Sequence, residues 1–467
     1  MADGVVLAIN IFILIYFIII NGIYLLLLLL SYFSILKHRR LMHHVQWRRV
    51  IQSPTTIPIS IIAPAYNEDV TIVNSIKSLL ALRYPSFEVI VVNDGSSDMT
   101  LQCLKEAFDI QEIPVQLDKK VECQDILGVY RSPLYRNLVV IDKVNGGKAD
   151  ALNAGINVSR YPIFCAIDAD SVIESEALLR ITRPFLEKPD TTVAVGGIVR
   201  VANGCHIEGG RVIRVGLSGN WLALIQTIEY LRAFLFGRIG WNMMGGLLII
   251  SGAFGVFKKS AVIEVGGYTH DTVGEDMELV TRLHHQLKAK KQKYGVFFIP
   301  DPICWTEVPE SIKILSRQRN RWQRGLIDSL LRHRKMFFNP KYGAIGMVAF
   351  PYFFFFEMLG PVVELSGYII VPLSFALGLL NVQFFLLFLS LAILLGVVLS
   401  TASLVLDELS FRRYPAKRHL IKLLLVAILE NFGYRQLHTF WRFMGIVDYL
   451  RKKQSWGKME RKGFQTN

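Results

Sequence analysis

The sequence predicts an α/β domain with a doubly wound, mostly parallel sheet, inserted between transmembrane helices. Long apolar runs stand near the start of the chain and in its last third. Between them, in residues 50–340, short apolar stretches alternate with helix-like stretches, as in sheets that carry helices on both faces. Hydrophobic residues make up 52% of the 467-residue chain, more than a soluble domain usually carries.

The first apolar run, residues 1–35, is typical of a transmembrane helix. It is longer than the core of a signal peptide and lacks the basic start and cleavage site of one. The basic stretch LKHRRLMHHVQWRR follows it. Because Lys and Arg collect on the cytoplasmic side of spans, we expect an integral protein of the plasma or inner membrane whose central domain is cytoplasmic.

Four buried strands and three helices are predicted at the start of the central domain. The strands are IPISIIAPAYNE, FEVIVVNDGSSD, NLVVIDK and PIFCAIDAD, and the helices are VTIVNSIKSLLAL, TLQCLKEAF and KADALNAGINV. In doubly wound sheets, ligands bind at the carboxyl ends of the strands. This predicts a site at the residues that end or follow these strands, namely Asn67, Asp94, Asp168 and Asp170.

Residues 219–246 are apolar but contain Glu229, Arg232 and Arg238. Charges at these positions disfavour a bilayer span. Two interpretations stay open: an amphipathic helix at the membrane surface, or a buried helix of the central domain.

The chain becomes strongly apolar again in residues 343–450, which hold three apolar segments. The first two exceed the roughly 20 residues that a spanning helix needs. The third contains four polar side chains, Glu430, Arg435, His438 and Arg442, which favour a re-entrant or interfacial hairpin. Two later spans return the chain to the cytoplasm, where the positive-inside rule also places the basic tail, residues 451–467.

Glu357 and Glu364 lie seven residues apart inside the first of these segments, on one face of a helix. Carboxylates inside a membrane usually face a polar path or a partner. We favour a polar conduit, and the alternative is a pair of structural helix–helix contacts.

Composition disfavours other classes of protein. The formal net charge is +14, but no nucleic-acid-binding motif is recognisable and the basic residues cluster beside apolar segments. Membrane topology or an anionic small substrate explains this charge better, and we expect no nucleic acid partner. The five cysteines show no Cys-x-x-Cys pair or zinc-like spacing, which favours a reducing compartment.

The acids at the strand ends suggest nucleotide chemistry. Asp168 and Asp170 stand two apart in CAIDADSV, and neighbouring carboxylates repel unless a cation or proton joins them. The alternative is an acidic turn that caps the next helix. Asp94 precedes Gly95, which suits close approach of the backbone to a nucleotide.

Two further stretches carry candidate residues at helix starts. NGGKADALN supplies Gly146, Gly147 and Lys148, where free amides and a cation favour phosphate. GEDMELVTRLHH supplies Glu275 and Asp276. Such acids often serve only as charges at a helix N-terminus, and the functional interpretation is a general base that takes a proton from an attacking hydroxyl.

The stretch SRQRNRWQRG holds four arginines and a tryptophan shortly before the chain turns apolar. If it is helical, Gln318, Arg321, Trp322 and Gly325 share one face. A guanidinium binds diphosphate oxygens in a fork, and an indole packs on a sugar ring. The alternative is a solvated basic collar at a membrane boundary.

Seven motifs stand in order along the chain: APAYNED, VNDGSSD, GGKADALN, DAD, SGAFG, GED and Q-x-x-R-W, the last as QRNRW. With them, the chain resembles the membrane-embedded family 2 glycosyltransferases, which include cellulose, chitin, hyaluronan and poly-N-acetylglucosamine synthases. The resemblance covers nearly the whole chain. It implies a Rossmann-like GT-A catalytic domain and an inverting, processive hexosyltransferase that uses a UDP-sugar with Mg²⁺ or Mn²⁺.

The resemblance also implies roles for individual residues. Asp94 contacts the uridine, Lys148 approaches the diphosphate, and Asp168 and Asp170 form the D-x-D pair, in which Asp170 is the expected ligand of Mg²⁺ or Mn²⁺. Asp276, next to Glu275, is the general base. Gln318, Arg321 and Trp322 close over the donor. The remaining substrate contacts are Ala63, Tyr66, Asn67 and Glu68 in the first motif, and Ser251 and Gly252 at the acceptor entrance.

The expected product is a β-linked exopolysaccharide, with poly-β-N-acetylglucosamine favoured, extruded through the membrane region of the enzyme. The expected partners are the UDP-sugar, a growing polysaccharide or glycolipid acceptor, the lipid bilayer and an accessory export or regulatory subunit. The motif Gly-Glu-Asp in place of Thr-Glu-Asp, and no visible cyclic-di-GMP-binding module, disfavour bacterial cellulose synthase. Two alternatives stay open: a non-processive enzyme that glycosylates a lipid acceptor, and a catalytically silent scaffold of an export complex.

Overall fold

The computed structural model describes residues 2–42, 56–116, 118–414 and 416–453. It divides into two compact units. The first contains the described residues up to Arg39, Leu217–Gly246 and the described chain from Pro309 onward, and the second contains the described residues of Arg40–Gly216 and Leu247–Val308. The predicted central domain therefore contributes to both units. Residues 43–49 of the basic stretch and 454–467 of the basic tail lie outside the described residues.

The secondary structure alternates between strands and helices in the second unit and is helical in the first. The α-helices are α1 Ala2–Met42, α2 Ile72–Leu80, α3 Thr100–Phe108, α4 Lys148–Val158, α5 Ala177–Ile181, α6 Arg183–Glu187, α7 Trp221–Tyr230, α8 Ile239–Met243, α9 Lys259–Glu264, α10 Glu275–Ala289, α11 Ile312–Arg332, α12 Phe350–Tyr352, α13 Gly360–Ala376, α14 Val382–Phe411, α15 Lys417–Leu429 and α16 Tyr434–Leu450. The π-helices are Leu231–Arg238, Ile345–Ala349 and Phe353–Met358, and the 3₁₀ turns are Arg334–Met336 and Pro340–Tyr342. The strands are β1 Ile59–Ala65, β2 Phe87–Asp94, β3 Gln111–Glu112, β4 Ile126–Arg131, β5 Leu138–Lys143, β6 Ile163–Ile167, β7 Val172–Ile173, β8 Thr192–Val201, β9 His206–Glu208, β10 Arg211–Arg214, β11 Phe254–Lys258 and β12 Gly295–Thr306.

The second unit is built on a mixed ten-stranded sheet of order β3-β4-β5-β2-β1-β6-β11-β8-β12-β7. The four strands predicted from the sequence, β1, β2, β5 and β6, are parallel neighbours in it. Their Ile, Val and Ala side chains are buried, as expected for parallel strands covered on both faces. The three predicted helices are α2, α3 and α4, so the predicted fold class is confirmed.

The strand order places a crossover at the centre of this sheet. From β1 the chain adds β2 and then β5 on one side, and α4 then carries it back to β6 on the other side of β1. Ala65 of β1 lies opposite Asn93 of β2, and Asp94 of β2 lies opposite Lys143 of β5. The carboxyl ends of these three strands therefore align at one edge of the sheet. A crossover of this kind opens a crevice for ligands at that edge.

Among the described residues, three helices are long and apolar enough to cross a membrane, by length and composition: Val6–Leu41, Ile345–Ala376 and Phe385–Phe411. Almost all of their residues belong to the first unit. They correspond to the predicted N-terminal span and to the first two apolar segments near the carboxyl end. The third segment forms two shorter helices, α15 and α16, and the chain turns between them at Gly433, where φ is +86°. The re-entrant or interfacial hairpin stays a prediction.

Residues 219–246 form α7, a π-helix and α8, and they belong to the first unit. Arg232 donates to Ser400 Oγ at 2.6 Å and forms an ion pair with Glu430. The segment is therefore bound to other helices of the first unit, and its interpretation as a buried helix of the sheet domain is wrong.

The side chains of Glu357 and Glu364 both contact α16. Glu357 Oε2 lies 3.1 Å from Arg442 Nη2 and its Oε1 accepts from the Tyr352 hydroxyl at 3.0 Å. Glu364 accepts from the Thr439 hydroxyl at 2.8 Å. These contacts support the interpretation as structural helix–helix contacts, and the conduit stays a prediction.

Candidate active site

Lys148, the first residue of α4, stands at the centre of a charged cluster in the second unit. Its Nζ lies 2.5 Å from Asp168 Oδ1 and 3.4 Å from Glu275 Oε1, and it donates to the Gly252 carbonyl at 2.9 Å. Burial acts to lower the pKa of Lys148, but the negative charges of Asp168 and Glu275 outweigh it and raise this pKa above its ordinary value. Lys148 therefore stays positively charged at neutral pH.

Asp276 lies in the same cluster, next to Glu275 at the start of α10. A Cβ atom placed on Gly252 would stand 3.3 Å from Asp276 Oδ2 and 3.4 Å from Lys148 Nζ. Gly252 is thus in close contact with both side chains, and a larger residue there would intrude between them. Five predicted site residues from distant parts of the sequence meet here: Lys148, Asp168, Gly252, Glu275 and Asp276.

The turn after β6 carries the acidic pair. The Asp168 amide donates to the Ala253 carbonyl at 3.4 Å, and the Ser171 amide donates to the Asp168 carbonyl at 3.0 Å. Ser251 Oγ accepts from the Ala253 amide at 3.3 Å. This turn therefore places Ser251 beside the acidic pair, while Asp168 and Asp170 are both half-buried.

The chemistry of the acidic pair fits a hard divalent cation. Across the described parts of the chain, no group of three or more His, Cys, Asp or Glu side chains gathers closely enough to hold a metal by itself. Mg²⁺ is commonly bound by one or two carboxylates together with substrate phosphates. Asp168 and Asp170 supply carboxylates of this kind, beside the cation of Lys148.

Asp94, the last residue of β2, is buried and holds the turn that precedes α4. Its Oδ1 accepts from the Gly146 amide at 3.0 Å, and its Oδ2 accepts from the Gly147 amide at 2.8 Å. Asn145 Nδ2 donates to the Asp94 carbonyl at 2.7 Å. The carboxylate of Asp94 therefore occupies the amides of both glycines, so they are not free for phosphate, and phosphate binding at the helix start by Lys148 stays a prediction.

Two residues that the sequence analysis missed complete this network. Lys143, at the end of β5, lies 2.6 Å from Asp94 Oδ1 and 2.5 Å from Asp150 Oδ1, and Lys143 and Asp150 are both buried. A lysine at the end of a strand that begins with four buried apolar residues was the available signal, since a buried charge needs a partner.

The first motif forms the loop after β1. Asn67 has φ of +56°, and its Oδ1 accepts from the Ser97 amide at 2.9 Å, while its own amide donates to Ser96 Oγ at 3.0 Å. These bonds join the loops that follow β1 and β2. Tyr66 is exposed, Glu68 is half-buried with its amide donating to Thr100 Oγ1 at 2.8 Å, and Ala63 is fully buried inside β1.

Gln318, Arg321 and Trp322 lie on α11 in the first unit, and the predicted helix is confirmed. Trp322 is 46% exposed, and the guanidinium of Arg319 stands 4.2 Å from the centre of its ring. Arg319 is itself buried and lies 2.5 Å from Glu229 Oε2.

Arg324, on the same helix, is also buried and donates to Asn320 Oδ1 at 3.0 Å. A solvated collar is therefore the wrong description of Arg319 and Arg324, which bind within the first unit. The roles implied for Gln318, Arg321 and Trp322 stay predictions.

Two family models match the chain. Residues 60–265 match Glycosyl transferase family 2, and residues 163–406, more than half of the chain, match Glycosyl transferase family group 2. The first match includes Lys148, Asp168 and Gly252 of the cluster, and the second includes Asp168, Gly252, Glu275 and Asp276.

Two relatives are poly-β-1,6-N-acetyl-D-glucosamine synthases. That of Staphylococcus epidermidis is 33% identical over 279 residues, and that of Staphylococcus aureus is 32% identical over 277 residues. Each match covers 59% of this chain and 56% of the relative, so the chain spans little more than half the length of the relatives that it matches.

Among solved structures, the mannosyltransferase PcManGT of Pyrobaculum calidifontis, in complex with GDP-Man and Mn²⁺, has a TM-score of 0.54 and 16% identity, covering 94% of this chain and 99% of that one. This last likeness shows a shared fold.

Proposed function

The chain belongs to glycosyltransferase family 2, and we propose that it is an inverting, metal-dependent hexosyltransferase that adds sugar from a UDP-sugar to a growing β-linked polysaccharide. The relatives named as poly-β-1,6-N-acetylglucosamine synthases favour UDP-N-acetylglucosamine as donor. The three helices able to span a membrane suit an enzyme that works at the cytoplasmic face and extrudes its product.

The observation that carries this proposal is the cluster in which Lys148 joins Asp168 and Glu275 beside Asp276. A charged lysine at the carboxyl edge of the sheet is suited to receive the negative diphosphate of the donor. Asp276 is suited to take the proton of the acceptor hydroxyl as this hydroxyl attacks the anomeric carbon and UDP departs. Lys148 would thus receive the diphosphate and Asp276 would take the proton, so neighbouring side chains of one cluster serve the two tasks of an inverting transfer.

We assign Asp168 and Asp170 to the binding of Mg²⁺ or Mn²⁺ together with the donor. The bound cation would neutralise negative charge on the leaving diphosphate. The chain contributes the two carboxylates, and Lys148 holds Asp168 in place through the contact at 2.5 Å. Chelation by EDTA should therefore stop UDP release, and added Mn²⁺ or Mg²⁺ should restore it.

The proposal is tested on the full chain in detergent with Mn²⁺ and each common UDP-sugar in turn. UDP release is followed, and the product is sized by gel before and after digestion with a glycosidase specific for β-1,6-linked N-acetylglucosamine. A long polymer made from UDP-N-acetylglucosamine alone is the expected result.

Other products would change the proposal. A single sugar transferred to lipid would favour the non-processive alternative. A chain that releases no UDP from any donor would contradict the proposal in favour of the silent scaffold.

A further inference from the structure

Lys143 is a fully buried cation to which the proposed chemistry assigns no task. Its Nζ lies 2.6 Å from Asp94 Oδ1 and 2.5 Å from Asp150 Oδ1, and it donates to the Val144 carbonyl at 2.5 Å. An ammonium group has three hydrogen-bond donors, and three acceptors of the protein surround this one. Lys143 is therefore engaged within the protein and does not itself meet a ligand.

Both carboxylates that bind Lys143 also contact the turn before α4. Asp94 accepts the amides of Gly146 and Gly147 at 3.0 and 2.8 Å. Asp150 packs so closely against the turn that a Cβ on Gly146 would lie 2.5 Å from its carboxyl carbon. Lys143 thus joins the end of β5 to the end of β2 and to the first turn of α4, which begins with Lys148.

The charges explain why this cation matters. The side chains of Asp94 and Asp150 are 4% and 1% exposed, so neither carboxylate is stabilised by bulk water. Without Lys143, two buried carboxylates would stand near each other with no cation between them. Their repulsion would then displace the Asp94 oxygens that hold the Gly146 and Gly147 amides.

We infer that Lys143 is a positioning residue for the sugar donor: it holds Asp94 and Asp150 in place, fixes the Gly146–Gly147 turn, and so sets the position of Lys148. The inference rests on the proposed function, in which Lys148 receives the diphosphate. Because Lys143 acts on the donor only through this turn, donor affinity depends on it and acceptor affinity does not.

The test compares variants of the full chain in detergent. Lys143→Met removes the cation, Lys143→Arg keeps the charge, and Arg160→Met is the matched control. Arg160 Nε lies 2.8 Å from the buried carboxylate of Glu88, near the amino ends of β2 and β6 and away from the turn. The measurements are the UDP dissociation constant by calorimetry, the KM for the UDP-sugar, the KM for a short N-acetylglucosamine oligomer as acceptor, and the thermal midpoint.

We expect Lys143→Met to raise the UDP dissociation constant and the donor KM by about tenfold, the size of effect that loss of one charge-assisted hydrogen bond produces. The acceptor KM should stay unchanged, and Lys143→Arg should recover part of the donor affinity. Arg160→Met should lower the thermal midpoint without changing either donor constant.

A second variant keeps the test decisive if Lys143→Met does not fold. The double substitution Lys143→Met with Asp150→Asn removes one buried carboxylate together with the cation, and the same rise in the donor constants is expected of it. A folded variant with wild-type donor constants, or with donor and acceptor constants raised equally, would overturn the inference. A wild-type chain that binds no UDP would overturn both the proposed function and this inference. If the wild type binds UDP and the Lys143 variants bind it with the same dissociation constant, this inference alone would be overturned.

Discussion

Asn153 and Tyr268 form a reciprocal pair of hydrogen bonds between α4 and the loop that leads to Asp276. The Tyr268 amide donates to Asn153 Oδ1 at 2.7 Å, and Asn153 Nδ2 donates to the Tyr268 carbonyl at 2.9 Å. Nδ2 also donates to the Glu122 carbonyl at 2.9 Å. The helix that begins with Lys148 therefore also fixes the loop in front of the proposed base.

We expect Asn153→Ala to lower both stability and the rate of transfer. The substitution leaves the buried Tyr268 amide and carbonyl without their side-chain partners, and an unsatisfied buried group costs about 1–3 kcal/mol. The loop before Asp276 would then be held less firmly. The thermal midpoint and kcat of the full chain in detergent measure the two effects.

Asn157→Ala is the matched control for Asn153→Ala. Asn157 lies one turn later on α4, accepts from the Lys120 and Val121 amides at 3.0 Å and donates to the Val121 carbonyl at 2.8 Å. It should lower the thermal midpoint by a similar amount without lowering kcat. Equal losses of kcat in the two variants would show that α4 contributes only general stability.

Asp276→Asn should abolish transfer while UDP binding is retained. The amide keeps the size of the side chain but does not accept the proton of the attacking hydroxyl, so kcat should fall by about 10²- to 10⁴-fold. UDP release and UDP calorimetry measure the two properties on the same preparation. Asp271→Asn, at an exposed carboxylate five residues earlier, is the control. Full turnover by Asp276→Asn would remove Asp276 as the base.

Much of the fold and of the site edge was predictable because parallel strands leave a strong pattern. Apolar residues, mainly Ile, Val and Ala, dominate β1, β2, β5 and β6, so the strands and the helices between them are visible in the sequence. Once the strands are known, topology places Asp94 and Asp168 at one edge. The seven motifs predicted the family, and the family models confirm it.

The contacts within the site were less predictable, because one motif serves several geometries. A glycine-rich turn presents the same sequence whether its amides face a phosphate or a carboxylate of the protein, and here the amides of Gly146 and Gly147 face Asp94. Likewise, the arginines of SRQRNRWQRG look alike in sequence, yet Arg319 is buried against Glu229 while Arg317 is exposed. Such choices depend on packing between segments that are far apart in the chain.

Trp322→Ala should impair transfer more than it impairs binding of Mn²⁺. The indole is 46% exposed, which suits a platform for a sugar ring, and an indole is not a metal ligand. Leu331→Ala is the control, because Leu331 is another exposed apolar side chain on α11. Transfer rate and Mn²⁺ affinity are measured for both variants. An unchanged transfer rate in Trp322→Ala would leave the exposed part of this stretch as a basic collar.

His284 should make the second unit sensitive to acid. It is buried in α10, and its Nε2 lies 2.8 Å from the Leu247 carbonyl and its Nδ1 2.7 Å from the Tyr294 hydroxyl. A carbonyl only accepts, so Nε2 carries the proton and Nδ1 accepts from Tyr294 in the neutral ring. Burial lowers the pKa of His284 from 6.5 to about 4, and the charge of Lys288 acts in the same direction.

The sign of the effect follows from this lowered pKa. The unfolded chain binds a proton at His284 near pH 6.5 and the folded chain only near pH 4, so the stability contributed by the neutral ring is full above pH 6.5 and is lost as the pH falls towards 4. The loss amounts to about 2–3 kcal/mol by pH 4.5.

His284→Gln should be less stable than the wild type at pH 7.5, and this difference in thermal midpoint should shrink at pH 4.5. His206→Gln, at an exposed histidine of β9, is the control, and its difference in thermal midpoint from the wild type should not depend on pH in this way. If the thermal midpoints of wild type and His284→Gln differed by the same amount at both pH values, the assignment of a neutral buried ring would be contradicted.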